Sequence, residues 1–195
     1  MPSLGRVLQS IAAIAAVTVT AACGDPPDKE LQQARSAIES ARGAGADLYA
    51  REEFSAAETA LKNATDAVDQ RDYRLALNRA LDARERAQNA AQEAVTRKAA
   101  ARADASRALA VAGRALDEAR AKLKSAESSR VPARLLAPAR RAIADADLAV
   151  QEARTAFGQG AYANANEAAA ATTTRLHGVV RDLESAAAPA PRRRH

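Results

Sequence analysis

Alanine recurs through this chain at alternating steps of three and four residues, and that spacing confines it to helices packed along their lengths. From Phe54 the apolar positions run Phe54, Ala57, Leu61, Ala64 and Val68, and from Tyr73 they run Tyr73, Ala76, Ala80, Ala83, Ala87, Ala90 and Ala94. A third series is Leu109, Ala112, Leu116, Ala119, Leu123 and Ala126, and a fourth is Leu136, Ala139, Ile143, Ala146, Val150, Ala153 and Phe157. The last is Tyr162, Ala165, Ala169, Thr172, Leu176, Val179, Leu183 and Ala186. Each repeats the angular step of a helix that presents one narrow stripe to its neighbours. Alanine has the highest helix propensity, and the β-branched and aromatic residues that strands need are scarce. The expected fold is all-α: an elongated antiparallel helical bundle.

Turn chemistry falls between the series. Gly43-Ala44-Gly45, Asp69 to Asp72, Ser128 to Pro132 and Gly158-Gln159-Gly160 break the pattern, with Asp72 placed to cap the helix opening at Tyr73 and Pro132 suited to a first helical turn. The pattern also duplicates. Leu31 to Ala41 and Leu116 to Ala126 share Leu-x-x-Ala-Arg-x-x-[Ile/Leu]-x-Ser-Ala at an offset of 85, and Leu48-Tyr49-Ala50 pairs with Leu135-Leu136-Ala137 at 87. Phe54, Leu61, Val68 and Tyr73 pair with Ile143, Val150, Phe157 and Tyr162 at 89. The growing offset implies small insertions between helices in the second copy, where length changes are tolerated.

The bundle is therefore expected to consist of two tandem helical-hairpin repeats. A helix unbroken from Tyr73 to Ser125 would be roughly 80 Å long. Gly113 and a one-residue shift of the seam before Leu109 predict a bend or stutter there. A buried alanine contributes far less than the roughly 1.5–3 kcal/mol of a buried Leu or Phe. Stability is thus expected to rest on Phe54, Leu61, Leu75, Leu81, Leu109, Leu116, Leu123, Ile143, Val150, Phe157, Leu176 and Leu183. Ion pairs such as Asp82 with Arg86 add only tenths of a kcal/mol each.

The first residues have a different character. Met1 to Arg6 form a short basic head, Val7 to Ala22 an apolar small-residue stretch, and Thr20-Ala21-Ala22 leads to Cys23, the only cysteine. Gly24-Asp25-Pro26-Pro27 then stops any helix. The uninterrupted apolar run, Ile11 to Ala22, is short of the roughly 20 residues of a membrane span. The segment resembles a bacterial lipoprotein signal, which implies diacylglycerol transfer to the Cys23 thiol and cleavage before it. An ordinary secretory signal cut after Ala22 fits the same small residues. Thr20 departs from the lipoprotein pattern, which prefers Leu, Val or Ile there, whereas a lone cysteine at the junction favours lipidation. The expected organisation is 1–22 signal peptide, 23–28 tether, 29–112 first repeat, 113–187 second repeat and 188–195 a disordered basic tail.

Tyr49-Ala50-Arg51-Glu52-Glu53-Phe54-Ser55-Ala56-Ala57, followed by Asp72-Tyr73-Arg74-Leu75-Ala76-Leu77, resembles a family of uncharacterised alanine-rich bacterial envelope lipoproteins. Its pattern is Tyr-Ala-Pro-x-x-[Phe/Leu]-x-x-Ala and then a Gly-Asp-Tyr-x-x-Ala turn. The first copy has Arg51 and Arg71 where the family carries Pro and Gly. The second keeps Pro138 and Gly160-Ala161-Tyr162 but lacks the first tyrosine. The resemblance spans most of Leu31 to Ala186 and implies helical hairpins in the cell envelope.

Little points to catalysis. His177 has no second histidine or cysteine at metal spacing, and His195 ends the chain. Gly43-x-Gly45 and Gly158-x-Gly160 follow helices rather than strands, unlike phosphate cradles. Asp145 and Asp147 are two apart on a helix and point to different sides, whereas a catalytic pair must converge. The formal charge is +5, and Arg6 with Arg192-Arg193-Arg194 supplies four positive charges, so the helical body is nearly neutral and lacks a nucleic-acid footprint. The tail arginines suit anionic headgroups or simple solubility equally well. The expectation is a noncatalytic, cofactor-free envelope scaffold or adaptor that faces the periplasm, with the outer membrane favoured by Gly24 after the cysteine. Its expected contacts are membrane lipid through acylated Cys23 and an envelope protein or a second copy of itself, with no small-molecule substrate. The competing expectation is a periplasmic peptide- or ligand-binding helical-repeat module, although the period of about 34 residues of tetratricopeptide repeats is not the one seen.

Overall fold

The structure, a computed structural model, describes residues 25–187. These form six helices with no strand among the described residues: α1 (Asp28–Ala44), α2 (Ala46–Tyr49), α3 (Arg51–Asp69), α4 (Tyr73–Ser128), α5 (Ala133–Gly158) and α6 (Tyr162–Ala187). The chain divides into two compact units between Val95 and Thr96, within α4. Unit 1 holds α1, α2, α3 and the start of α4; unit 2 holds the rest of α4 with α5 and α6.

Unit 1 is stacked in layers to which each long helix contributes one residue. Leu31, Ala64 and Ala80 form one layer, and Ala34, Ala60 and Ala83 the next. Ile38, Ala41, Phe54, Ala57, Ala87, Ala90 and Ala94 continue the stack. Moving forward along α1 means moving backward along α3 and forward along α4, so α3 is antiparallel to both. Gly45 ends α1 at φ 87°, where its N–H donates back to the carbonyls of Ala41 and Arg42. A Cβ at this position would sit 3.4 Å from the Tyr49 ring, and the positive φ strains any other residue.

In unit 2, Ala112 of α4, Val150 and Ala153 of α5 and Ala169 of α6 share a cluster. Beyond it Leu116, Ala119 and Ala126 pack with Leu136, Ile143, Leu176 and Leu183. Leu136, Leu176 and Val150 are the largest side chains sealed from solvent. Thr172 is buried on the same seam, and its hydroxyl donates to the Ala168 carbonyl at 2.8 Å, so the polar atom has a partner. Pro132 is the cap residue before α5 rather than a residue of its first turn.

The five seams are buried or half-buried throughout. Burial also repeats at the 89-residue spacing: Phe54 and Ile143, Ala64 and Ala153, Ala80 and Ala169, and Ala94 and Leu183 are all buried.

One expectation changes. Leu75 and Leu81 are 39% and 38% exposed, not core residues. They stand one position off the Ala76–Ala80–Ala83 line, and an all-alanine stripe is too narrow to draw neighbouring helices over its flanks. Helix α4 is a single helix from Tyr73 through Gly113 to Ser128. The seam is interrupted before Leu109, since nothing between Ala94 and Ala105 is buried, and the one-residue shift falls in that stretch.

Leu176→Ala should destabilise the protein by about 2–5 kcal/mol, by loss of buried area and the cavity left behind. Ala87→Leu should cost about 1–3 kcal/mol by overpacking, whereas Leu75→Ala should stay within about 0.5 kcal/mol. Urea unfolding of a chain starting at Gly24, which keeps every described helix, measures all three. A loss at Leu75 equal to that at Leu176 would return Leu75 to the core.

Candidate functional site

Cys23, the expected lipidation residue, lies outside the described residues, as do Arg192-Arg193-Arg194 and His195. Its surroundings begin at Asp25. The Asp28 N–H donates to the Pro26 carbonyl and the Leu31 N–H to the Pro27 carbonyl, so α1 starts directly after the Pro26-Pro27 pair.

The other candidates stand apart from one another. His177 is exposed on α6 beside buried Leu176. Among the described residues no three His, Cys, Asp or Glu side chains are placed to hold a metal ion. Asp145 is exposed, while Asp147 accepts an ion pair from Arg120 of α4 at 3.0 Å and so helps to fasten α4 to α5. Gly43 lies within α1 and Gly158 closes α5; Gly45 and Gly160 adopt the left-handed conformation in turns.

The turn-plus-tyrosine elements have closely similar geometry. In the first, Arg71 has φ 62°, its N–H donates to the Val68 carbonyl, and the Asp72 N–H donates to Ala67. In the second, Gly160 has φ 81°, its N–H donates to Phe157, and the Ala161 N–H donates to Ala156. The caps before them match as well: Gln70 has φ −80° and ψ −3°, Gln159 φ −80° and ψ −2°. This is the Schellman arrangement, which satisfies the last carbonyls of a helix. It occurs a third time at Arg130, φ 59°, between α4 and α5, so the turn by itself is a general solution to ending a helix. The flanking residues distinguish the two tyrosine turns. The Asp72 carboxylate caps α4 by accepting from the Leu75 N–H at 2.9 Å, whereas Ala161 offers no such cap. Tyr162 instead meets Phe157 edge-on, with ring centroids 5.3 Å apart and planes at 61°. Both tyrosines are half-buried, consistent with anchoring a turn by packing.

Several charged side chains clasp one helix to another. Arg42 of α1 bonds Glu39 on its own helix at 2.6 Å and Glu58 of α3 at 2.8 Å, and its guanidinium lies 5.4 Å from the centre of the Phe54 ring. Arg86 of α4 bonds Asp82 at 2.9 Å, the expected pair, and also Glu53 of α3 at 3.3 Å. In unit 2, Lys122 pairs with Glu184 of α6, and Arg140 of α5 with Glu127 of α4 at 2.7 Å. Hydrogen bonds and nearby carboxylates raise the Arg42 and Lys122 pKa values, mainly through Glu39 and Glu184, and Asp82 chiefly raises that of Arg86. The groups stay charged, but all are solvent-exposed and each contributes little. The cleft between α1 and α3, lined by Ile38, Arg42, Glu58, Leu61 and Lys62 among others, is rimmed by these paired charges.

Net charge is divided unequally. Between Asp25 and Val95 there are ten Lys and Arg against fourteen Asp and Glu, and between Thr96 and Ala187 fifteen against ten. The near-neutral body is thus an acidic unit followed by a basic one, a division invisible until the unit boundary is placed.

Residues 29–106 match the family model of a domain of unknown function, DUF4398. The match covers α1, α2, α3 and the first part of α4. No curated protein and no solved structure matches the chain.

The left-handed turns carry a testable asymmetry. A side chain in that conformation costs roughly 1–2 kcal/mol, so Arg71→Gly should stabilise by up to about 1 kcal/mol after the added flexibility of the unfolded chain. Gly160→Ala should destabilise by about 1 kcal/mol. Thermal melts of the two variants should move in opposite directions; shifts of the same sign would contradict the shared turn geometry.

Proposed function

We propose that this chain is a lipid-anchored, noncatalytic helical scaffold or adaptor of the bacterial cell envelope, held at the membrane through acylated Cys23 and facing the periplasm. The observation that carries the reading is the position of Cys23. A lone cysteine closes an apolar, small-residue leader, and the first helix starts at Asp28 after only a short proline-containing link. A single acyl chain binds membranes marginally, whereas the several chains of a mature bacterial lipoprotein hold stably. The link from Gly24 to Pro27 then keeps unit 1 close to the leaflet.

The body beyond the link is read as two tandem hairpin repeats. The 89-residue recurrence of buried positions and the matched turns before Tyr73 and Tyr162 support duplication, while the family match itself ends at Ser106. A tethering role accords with side chains spent on helix-to-helix clasps: Asp147, Glu58, Glu53 and Glu184 each fasten one helix to another. Such a body offers outward faces to an envelope protein or a second copy. Gly24 after the cysteine, rather than Asp, favours outer-membrane sorting in a two-membrane envelope.

Cys23→Ser should abolish acylation and shift the protein from the detergent phase to the aqueous phase on Triton X-114 partitioning, with precursor or soluble periplasmic material in its place. Metabolic labelling with an alkyne fatty acid should mark the wild type and not the variant. Unchanged partitioning together with unlabelled wild type would overturn the anchor.

A further inference from the structure

We propose that the end of unit 2 where α4 turns into α5 is a docking end for the anionic headgroups of a lipid leaflet. Three observations meet there. The first is unbalanced positive charge. Lys124, Arg130 and Arg134 are exposed just before the last turn of α4, on the connecting turn and on the first turn of α5, and Arg141 follows two turns along. None of the four forms an ion pair among the described residues, whereas Glu127 and Glu184, acidic residues of the same end, are taken by Arg140 and Lys122.

The second observation is apolar surface set among these cations. Leu135 is 51% exposed, next in sequence to Arg134, and Pro138 is exposed one turn later. Leu135 and Pro138 line a shallow cleft of about 240 Å³ with Ala142, Val179 and Leu183, whose one acidic residue is Asp182. Cationic side chains around a small exposed apolar tip suit the boundary between phosphate headgroups and acyl chains, where basic groups meet phosphate and leucine meets hydrocarbon. A purely aqueous polyanion has no use for the leucine and proline.

The third is the place where α6 ends. α6 ends at this same end, because Leu183 and Glu184 border a cleft with Lys122, Ser125 and Ala126 of α4. This surface acts independently of Cys23, so it stands or falls separately from the lipid anchor.

The test uses the chain from Gly24 carrying Cys-free sequence, which retains both cores, sedimented with vesicles of phosphatidylglycerol mixed with phosphatidylcholine or of phosphatidylcholine alone. The expected result is binding to the anionic vesicles only, weakened by salt, with inorganic phosphate at matched ionic strength failing to compete. The triple variant Lys124→Gln, Arg130→Gly, Arg134→Gln should bind at least about tenfold more weakly. Its helical content should be unchanged, since Arg130→Gly places glycine at a left-handed position. Equal binding to neutral vesicles, undiminished binding by the triple variant, or no binding at low salt would overturn the proposal. Displacement by free phosphate would assign the end to a soluble anion instead, and sedimentation without vesicles would assign it to a second copy of the chain.

Discussion

Helix α4 presents alanine to its neighbours along nearly its whole buried line, and the close approach this permits governs both cores. Ala76, Ala80, Ala83, Ala87, Ala90 and Ala94 face unit 1, and Ala105, Ala112, Ala115, Ala119 and Ala126 face unit 2. With a methyl group as the spacer, helices can draw together until backbones nearly set the limit. The larger residues then have to come from the partners: Leu31, Ile38 and Phe54 in unit 1, and Leu136, Ile143, Val150, Leu176 and Leu183 in unit 2. Such a core tolerates little. Enlarging an alanine forces helices apart, and shrinking one of the few large residues empties a large share of the buried volume.

The same constraint explains the edges. A narrow alanine stripe buries little area, so residues one step off it stay wet, as Leu75, Leu77 and Leu81 do. Across those wet margins the helices are joined by charge: Arg42 and Arg86 span from α1 and α4 to α3, and Arg120, Lys122 and Arg140 join the helices of unit 2. Each pair is exposed and individually weak. Their value lies in register, because a helix slipped by one turn would leave a clasp unmade. Unit 2 keeps a surplus of basic residues on its surface, among them Lys124, Arg130 and Arg134 where α4 meets α5.

The helices were legible because their signal is redundant. Every seam from Phe54 to Ala186 carries several buried positions at the period of 3.6 residues, and no competing β pattern exists. Asp72 as a cap and Asp82 with Arg86 as a pair were legible for a similar reason, since each depends only on residues within one turn of helix. Leu75 and Leu81 misled because leucine signals burial by its chemistry alone, whereas their burial depended on how wide a stripe neighbouring helices cover. The cationic end was hidden in the same way. Lys124, Arg130 and Arg134 look like an ordinary solvated run until Glu127 and Glu184 are seen to be occupied elsewhere.

What the sequence determined by itself is the helical state, the places where helices stop and the stripe each one buries. All of these rest on local spacing: backbone hydrogen bonds close within four residues, and side chains three and four apart share a face. What only the tertiary structure decided is which stripe meets which, that the units divide between Val95 and Thr96, and which charges are spent on clasps and which remain. Those outcomes depend on contacts between residues as distant as Arg42 and Glu58 or Lys122 and Glu184. Such contacts form only once packing has fixed the register, and an alanine pattern that looks much the same at every turn does not specify that register by itself.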